Sequence, residues 1–246
     1  MMNSLAPILD MARTLGHFIT PCLCAICQNN VDSPGLCPSC WKELFLITNH
    51  SCQQCGLPFE YKTPLNRCGD CLKSPPAFDE TIAAAKYDGV IRDLIISLKH
   101  GDRHDIAPIL AKIMYPRART LLQEADIILP LPLHKKRFFM RRFNQSAGLA
   151  RYLINLSQLN ADKMKTDILL RHKNTTPQGH KTRHQRKKSL QGAFHVPDAS
   201  KGDITGKHIV IIDDVMTTGA SVASAARTLK RAGAKRVSAV VAARVC

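Results

Sequence analysis

The chain has 246 residues, which is enough for one small module and one full α/β domain. Its 45% hydrophobic and 22% charged residues give the balance of an ordinary globular protein, and no apolar run approaches the roughly 18 residues of a membrane-spanning helix. The 35 Lys and Arg residues exceed the 19 Asp and Glu residues, so the formal charge is +16.

This positive excess predicts an anionic partner, and nucleic acid is the usual one. A basic surface that only aids solubility is the alternative. The N-terminal segment, residues 1–20, carries Asp10 and Arg13 and lacks the long apolar core of a signal peptide. We therefore expect a cytoplasmic protein with no membrane span.

Four CxxC pairs follow the N-terminal segment. A CxxC turn directs two thiolates at one metal ion, and two such turns complete a tetrahedral site. Pairing consecutive turns gives CxxC-x9-CxxC and CxxC-x12-CxxC, both close to zinc-ribbon spacing. The sequence therefore predicts two structural zinc ions, held by Cys24, Cys27, Cys37, Cys40, Cys52, Cys55, Cys68 and Cys71.

Other arrangements of the cysteines remain open at this point. Cross-bracing would join the first pair with the third and the second with the fourth. Disulfides are disfavoured in a cytoplasmic compartment. Cys22 could replace Cys24 as a ligand, although the CxxC spacing favours Cys24. Zinc bound by eight thiolates would lower the formal charge to roughly +12, so the positive excess would survive.

The cysteine distribution predicts a domain boundary. Nine of the ten cysteines lie between Cys22 and Cys71, and the next is Cys246. Pro75 and Pro76 lie between these regions and disfavour a continuous helix or strand across them. We predict a double zinc ribbon over residues 21–74 and a second domain over residues 76–246.

Short apolar segments alternate with amphipathic ones in the second domain. Strands are predicted at 81–87, 126–131, 207–212 and 236–242, and helices at 90–99, 146–156 and 221–231. This alternation predicts an α/β fold, with a parallel, Rossmann-like sheet covered by helices on both faces.

The sharpest motif is IVIIDDVMTTGAS at 209–221, where a buried strand is followed by two carboxylates, a small-residue loop and a helix start. Free N–H groups and the helix dipole favour a phosphate at such a helix start. Asp213 and Asp214 would repel a phosphate, so they suit neutral hydroxyls such as those of ribose, with Mg²⁺ nearby. The predicted binding segment is Asp213, Asp214, Val215, Met216, Thr217, Thr218, Gly219, Ala220 and Ser221.

These thirteen residues resemble the phosphoribosyl pyrophosphate (PRPP) signature of type I phosphoribosyltransferases. A double zinc ribbon followed by such a domain resembles the ComF family. Further matching stretches lie at 87–89, 98–99, 129–133 and 142–145, although Arg142 stands where the family usually has Gly. The resemblance implies binding of PRPP or another ribose 5-phosphate ligand. It also implies a role in natural transformation, with a DNA helicase or other competence machinery as a partner.

The resemblance also suggests two less specific loops. The turn after Pro132 is the expected pyrophosphate loop, and its candidate ligands are Lys99, Leu133, His134, Arg137 and Arg141. Residues 171–190 resemble the flexible loop that closes over PRPP, with Gln178 and Arg186 as candidates. Ser189 departs from the family's usual Asn there.

The region 135–142 mixes cations with aromatic side chains, a pattern suited to single-stranded DNA. The candidate DNA contacts are Lys135, Lys136, Arg137, Phe138, Arg141 and Arg142. A pyrophosphate loop with packed phenylalanines is the alternative.

Three functions fit these features. The first is handling of single-stranded DNA during natural transformation, with a domain that binds PRPP. The second is an active phosphoribosyltransferase that transfers ribose 5-phosphate to an unidentified nitrogenous acceptor. The third is a module that senses PRPP or nucleotides without catalysis. The sequence does not decide whether the chain is an enzyme.

Overall fold

The computed structural model describes residues 22–48, 50–61, 65–100, 103–134, 143–172 and 192–246. The chain divides into two compact units, Met1–Leu44 and Phe45–Cys246. Among the residues described, no helix is long and apolar enough to cross a bilayer.

The described part of the first unit holds two cysteine turns and the short helix α1 (Pro38–Lys42). Isolated bridges join Leu23 to Asn30 and Cys24 to Gly35, and thereby hold the two turns together. The Cys37 side chain caps α1 by accepting a hydrogen bond from the N–H of Cys40.

A four-stranded parallel sheet forms the centre of the second unit. Its strands are β1 (Glu80–Lys86), β2 (Ile127–Pro130), β5 (His208–Met216) and β6 (Arg236–Arg244), in the order β1-β6-β5-β2. Two further strands, β3 (Leu170–Arg171) and β4 (Phe194–His195), form a separate antiparallel pair. The helices are α2 (Gly69–Lys73), α3 (Gly89–His100), α4 (Ile106–Glu124), α5 (Gln145–Leu156), α6 (Lys201–Ile204) and α7 (Ala220–Arg231).

Both faces of the parallel sheet are buried. Alternate residues of a strand point to opposite faces, and Val210 is as fully buried as its neighbour Ile211. Helices α4 and α5 pack against each other and against the sheet, whereas α7 packs in the core cluster that contains Ile211. The predicted α/β fold with a parallel sheet is therefore confirmed.

Several elements differ from the sequence prediction. Strand β5 does not end before the aspartates, because Asp213 pairs with Val241 and Met216 pairs with Arg244 of β6. Helix α4 was not predicted, and Pro116 lies inside it. The strands β3 and β4 have two residues each, which is too short to show an alternating pattern.

The second cysteine cluster belongs to the core of the large unit. Its four cysteines pack in one hydrophobic cluster with Phe78, Ala83 and residues of α7. The N–H of Thr81 in β1 donates to the carbonyl oxygen of Gln53 (3.0 Å). Arg117 of α4 donates to the Ala83 carbonyl oxygen (2.7 Å) and to Ser51 Oγ (3.3 Å). The CxxC turn at 52–55 is thus hydrogen-bonded directly to the sheet.

Gly56 provides a test of this close packing. It has a φ of +69°, and an added Cβ would lie 3.2 Å from Ala83 Cβ. We expect Gly56→Ala to lower the free energy of unfolding by about 1–3 kcal/mol, through backbone strain and crowding. Denaturant unfolding of the zinc-loaded chain measures the loss. Gly206→Ala is the matched control, because Gly206 also has a positive φ (+76°) and an added Cβ there meets nothing within 4 Å. Equal losses in the two variants would contradict the tight contact.

Candidate functional site

The turn from β5 to α7 forms a small, polar concavity at the carboxyl end of the parallel sheet. Its cavity of about 40 Å³ is lined by Asp213 and by residues 215–222. Gly219 precedes α7 with a φ of +71° and supplies no side-chain cap. The first N–H groups of α7 therefore have no intrahelical acceptor and are available to an anion.

Gly219 is needed for the shape of this turn. An added Cβ would make only ordinary van der Waals contacts, at 3.4 Å from Phe78 Cζ and 3.5 Å from Met216 Sδ, so the backbone conformation is what favours glycine. The left-handed backbone conformation is one that glycine adopts at little cost. The hydroxyl groups of Thr217, Thr218 and Ser221 line the same cavity and add donors for phosphate oxygens.

Asp213 is half-buried and lines this cavity. Its Oδ1 accepts hydrogen bonds from Ser146 Oγ (3.0 Å) and from the Asp214 N–H (2.9 Å). Burial, together with the negative charge on Asp214, raises the pKa of Asp213 to about 7, and Lys99 partly opposes the rise. In its ionised form this carboxyl group can accept hydrogen bonds from a pair of ribose hydroxyls.

Asp214 is held by Lys99, the penultimate residue of α3. Lys99 Nζ lies 2.9 Å from Asp214 Oδ2, and only 21% and 11% of the two side chains is exposed. The salt bridge offsets one of the two adjacent negative charges. The structure therefore brings Lys99 into the aspartate site. The predicted contact of Lys99 with pyrophosphate stays a prediction.

A larger cavity of about 920 Å³ lies beside the end of β2. Among the residues that line it are Leu133 and His134, at the start of the predicted pyrophosphate loop. His134 Nε2 lies 2.9 Å from the carbonyl oxygen of His172, and the His172 ring stacks on His195 with centroids 3.6 Å apart. The volume of this cavity falls in the range of small-molecule sites.

Several predicted residues lie outside the described ranges. These are Lys135, Lys136, Arg137, Phe138, Arg141, Arg142, Gln178 and Arg186. The DNA contacts, most of the pyrophosphate loop and the flexible-loop contacts therefore stay predictions.

Ser146, His172 and His195 were missed by the sequence analysis. Ser146 directly follows the 142–145 stretch that carries the family resemblance, so its position in the sequence could have identified it as a candidate. The two histidines are brought together only by the pairing of β3 with β4.

The predicted cysteines form two clusters, each from consecutive CxxC pairs. Within each cluster the sulfur atoms lie within 4.8 Å of one another. This is the sequential pairing, not the cross-braced one. The clusters consist of Cys24, Cys27, Cys37 and Cys40, and of Cys52, Cys55, Cys68 and Cys71.

The clusters fit structural zinc. The Cys27–Cys37 and Cys55–Cys68 sulfur separations are 3.5 and 3.6 Å. Tetrahedral zinc with Zn–S bonds of about 2.3 Å needs separations of about 3.8 Å. The N–H of Cys68 donates to Cys52 Sγ (3.3 Å), and a hydrogen bond with the Cys55 thiol is the main cause that lowers the pKa of Cys52 to about 4. Cys52 is thus ready to bind metal as a thiolate.

The raised pKa of Asp213 predicts that the protein loses stability as the pH rises. Between its ordinary pKa and about 7, the folded protein keeps a proton that the unfolded chain has released, so stability falls as pH rises through this window. Asp213→Asn removes the ionisable group but keeps an acceptor for Ser146. We expect the gain in unfolding free energy from this substitution to be larger at about pH 8 than at about pH 5.5.

Denaturant unfolding at both pH values measures this difference. Asp203→Asn, at an exposed carboxylate in α6, is the control and should show no such trend. A gain that stays constant or shrinks with rising pH would contradict the raised pKa of Asp213.

Comparisons with known proteins agree with this architecture. The double zinc ribbon domain model matches residues 15–72, and the phosphoribosyl transferase domain model matches residues 147–245. One relative, the DNA utilization protein YhgH of Salmonella typhimurium, is 33% identical over 88% of this chain and 94% of its own. The competence protein ComFC of Bacillus subtilis is 27% identical over 91% of this chain and 95% of its own.

Competence protein F of Haemophilus influenzae is also 27% identical, over 87% of this chain and 93% of its own. A solved structure of the allosteric regulatory enzyme of purine biosynthesis matches at 17% identity and a TM-score of 0.36, over 56% of this chain and 26% of that one. A score of this size is too low to support an inference. The two matching domains and relatives this similar over most of both chains show that the chain belongs to the ComF family.

Proposed function

We propose that residues 213–221 bind the ribose 5-phosphate part of PRPP or a related ligand, and that the protein uses this domain in handling single-stranded DNA during natural transformation. One observation carries the ligand proposal. The cavity at the start of α7 is lined by the small-residue turn on one side and by Asp213 on the other. Anion donors and a hydroxyl-binding carboxylate thus share one concavity.

The turn that lines this cavity and the adjacent aspartates suit different parts of the ligand. The free N–H groups of α7 and the hydroxyls of Thr217, Thr218 and Ser221 would hold the 5-phosphate. Asp213 and Asp214 would accept hydrogen bonds from the ribose hydroxyls. Mg²⁺ would supply positive charge for the diphosphate oxygens of PRPP. At about 40 Å³, the cavity suits a phosphate group rather than a whole nucleotide.

Phosphoribosyl transfer is the second candidate function. The cavity of about 920 Å³ at the end of β2 favours it, because this space could receive a planar nitrogenous acceptor. In transfer, the bond from ribose C1′ to the pyrophosphate oxygen breaks and a bond from the acceptor nitrogen to C1′ forms. Release of pyrophosphate in the presence of an acceptor would distinguish this enzyme from a non-catalytic sensor.

The DNA part of the proposal has separate support. The relatives' names refer to DNA utilization and to competence. The formal charge of +16 favours a polyanionic partner, and the predicted contacts at 135–142 combine cations with an aromatic side chain. A role beside a DNA helicase or other competence machinery fits the same family.

Ligand binding is tested with PRPP and Mg²⁺. We expect PRPP to raise the melting temperature of the zinc-loaded chain, because a ligand that binds only the folded state stabilises it. The double variant Asp213→Asn, Asp214→Asn should bind at least about ten-fold more weakly in calorimetry, through the loss of hydrogen bonds to charged carboxylates. Asp203→Asn should bind as the unchanged chain does. Undiminished binding by the double variant would contradict the assignment of this site.

DNA binding is tested by titrating a fluorescent single-stranded oligonucleotide at several salt concentrations. We expect affinity to fall steeply with salt, because bound cations release counterions from the phosphates. Lys135→Gln with Lys136→Gln should reduce the log–log salt slope by about 1.4, at about 0.7 per phosphate contact on single strands. Lys112→Gln, at an exposed residue of α4, should leave the slope unchanged. No binding at low salt would refute the DNA proposal.

A further inference from the structure

Arg244, the last residue of β6, connects the second cysteine cluster to the turn that follows β5. Its Nε donates to the carbonyl oxygen of Cys55 at 3.0 Å. Its Nη1 donates to the carbonyl oxygen of Thr217 and, at 3.3 Å, to that of Met216. One guanidinium therefore holds the backbone of a predicted metal ligand and the backbone of the candidate phosphate site.

Arg244 makes hydrogen bonds to main-chain carbonyl groups rather than salt bridges to carboxylates. Among the described residues, no carboxylate forms a salt bridge with Arg244, although Arg236 at the other end of the same strand pairs with Glu80 and Glu124. Arg244 is half-buried, and the pairing of β6 with β1 and β5 fixes its backbone on both sides. The fixed fork of a guanidinium can bridge two separate acceptors, which a single ammonium group does less well.

The contact with Thr217 has a consequence for the anion site. In a planar trans peptide, the carbonyl of one residue and the N–H of the next point in opposite directions, and the described residues contain no cis peptide bond. Because the Thr217 carbonyl is drawn towards Arg244, the N–H of Thr218 points away from it. Thr217 and Thr218 both line the 40 Å³ cavity. Arg244 thus fixes the orientation of a peptide group that an anion in this cavity would contact.

The other end of the contact depends on the metal cluster. Cys55 is one of four thiols that fit zinc, and its carbonyl position follows from the shape of the 52–55 turn. Without metal, four sulfur atoms held this closely would repel one another as thiolates or require protons. The turn would then be free to relax, and the Cys55 carbonyl with it.

We infer that Arg244 is a positioning residue that couples metal binding in the second cysteine cluster to phosphate binding by residues 213–221. This inference rests on the proposed ligand function. Coupling between two sites is reciprocal. Metal in the second cluster strengthens ligand binding, and bound ligand strengthens metal binding by the same factor.

The test measures the zinc affinity of the full chain carrying Cys24→Ser and Cys27→Ser. These substitutions disable the cluster in the Met1–Leu44 unit and leave the second cluster intact. A colorimetric chelator of known affinity competes for the zinc to equilibrium, without ligand and with saturating ribose 5-phosphate. We expect the ligand to raise the zinc affinity about five-fold or more, a usual size for coupling between two sites.

Arg244→Lys is the informative variant because it keeps the positive charge but loses the fork that reaches both carbonyl groups. We expect it to bind ribose 5-phosphate several-fold more weakly in calorimetry and to have a zinc affinity that the ligand does not change. Arg236→Lys is the matched control, since it makes the same substitution at the opposite end of β6. It should keep both the affinity for ribose 5-phosphate and the rise in zinc affinity that the ligand causes.

The possible outcomes separate the two proposals. If ribose 5-phosphate binds the unchanged Arg244 chain without raising its zinc affinity, the coupling is wrong and the proposed ligand function stands. If ribose 5-phosphate does not bind at all, the proposed function fails and the coupling fails with it. Equal effects of Arg244→Lys and Arg236→Lys would show a general loss of stability and would overturn the role of Arg244.

Discussion

The parallel pairing of β5 with β6, which continues as far as Met216 and Arg244, is the constraint on which the rest of the site depends. It keeps Asp213 and Asp214 inside a paired strand, where their backbone positions are fixed. The β5–α7 turn then begins at the carboxyl end of the sheet, where the dipole of α7 and its free N–H groups face a small cavity. The same pairing places Arg244 beside this turn.

The two cysteine clusters look equivalent in sequence but have different structural roles. The first lies in the Met1–Leu44 unit, whose described part has only one short helix. The second packs in the same hydrophobic cluster as Phe78 and α7, and its first turn hydrogen-bonds to β1 and to Arg244. Metal in the second cluster therefore contributes to the core that supports the candidate ligand site. Spacing alone could not reveal this difference, because both clusters have the same CxxC pattern.

The sequence was sufficient for the features that depend on local pattern. The alternation of short apolar segments with amphipathic ones predicted all four strands of the parallel sheet. The CxxC spacing favoured the observed grouping of the thiols. The extension of β5 past Asp213 was missed because a pair of carboxylates usually marks a strand end, whereas pairing with Val241 keeps the strand going. The salt bridge of Lys99 with Asp214 and the bond from Ser146 to Asp213 join residues far apart in the chain. No local pattern could show such contacts.

Whether the β5–α7 turn binds a sugar phosphate can be seen in a crystal structure of the zinc-loaded chain with ribose 5-phosphate. We expect density for the phosphate against the N–H groups at the start of α7, with the ribose hydroxyls within hydrogen-bond distance of Asp213. A phosphate bound at another place, or an empty turn at a saturating ligand concentration, would contradict the proposed binding site.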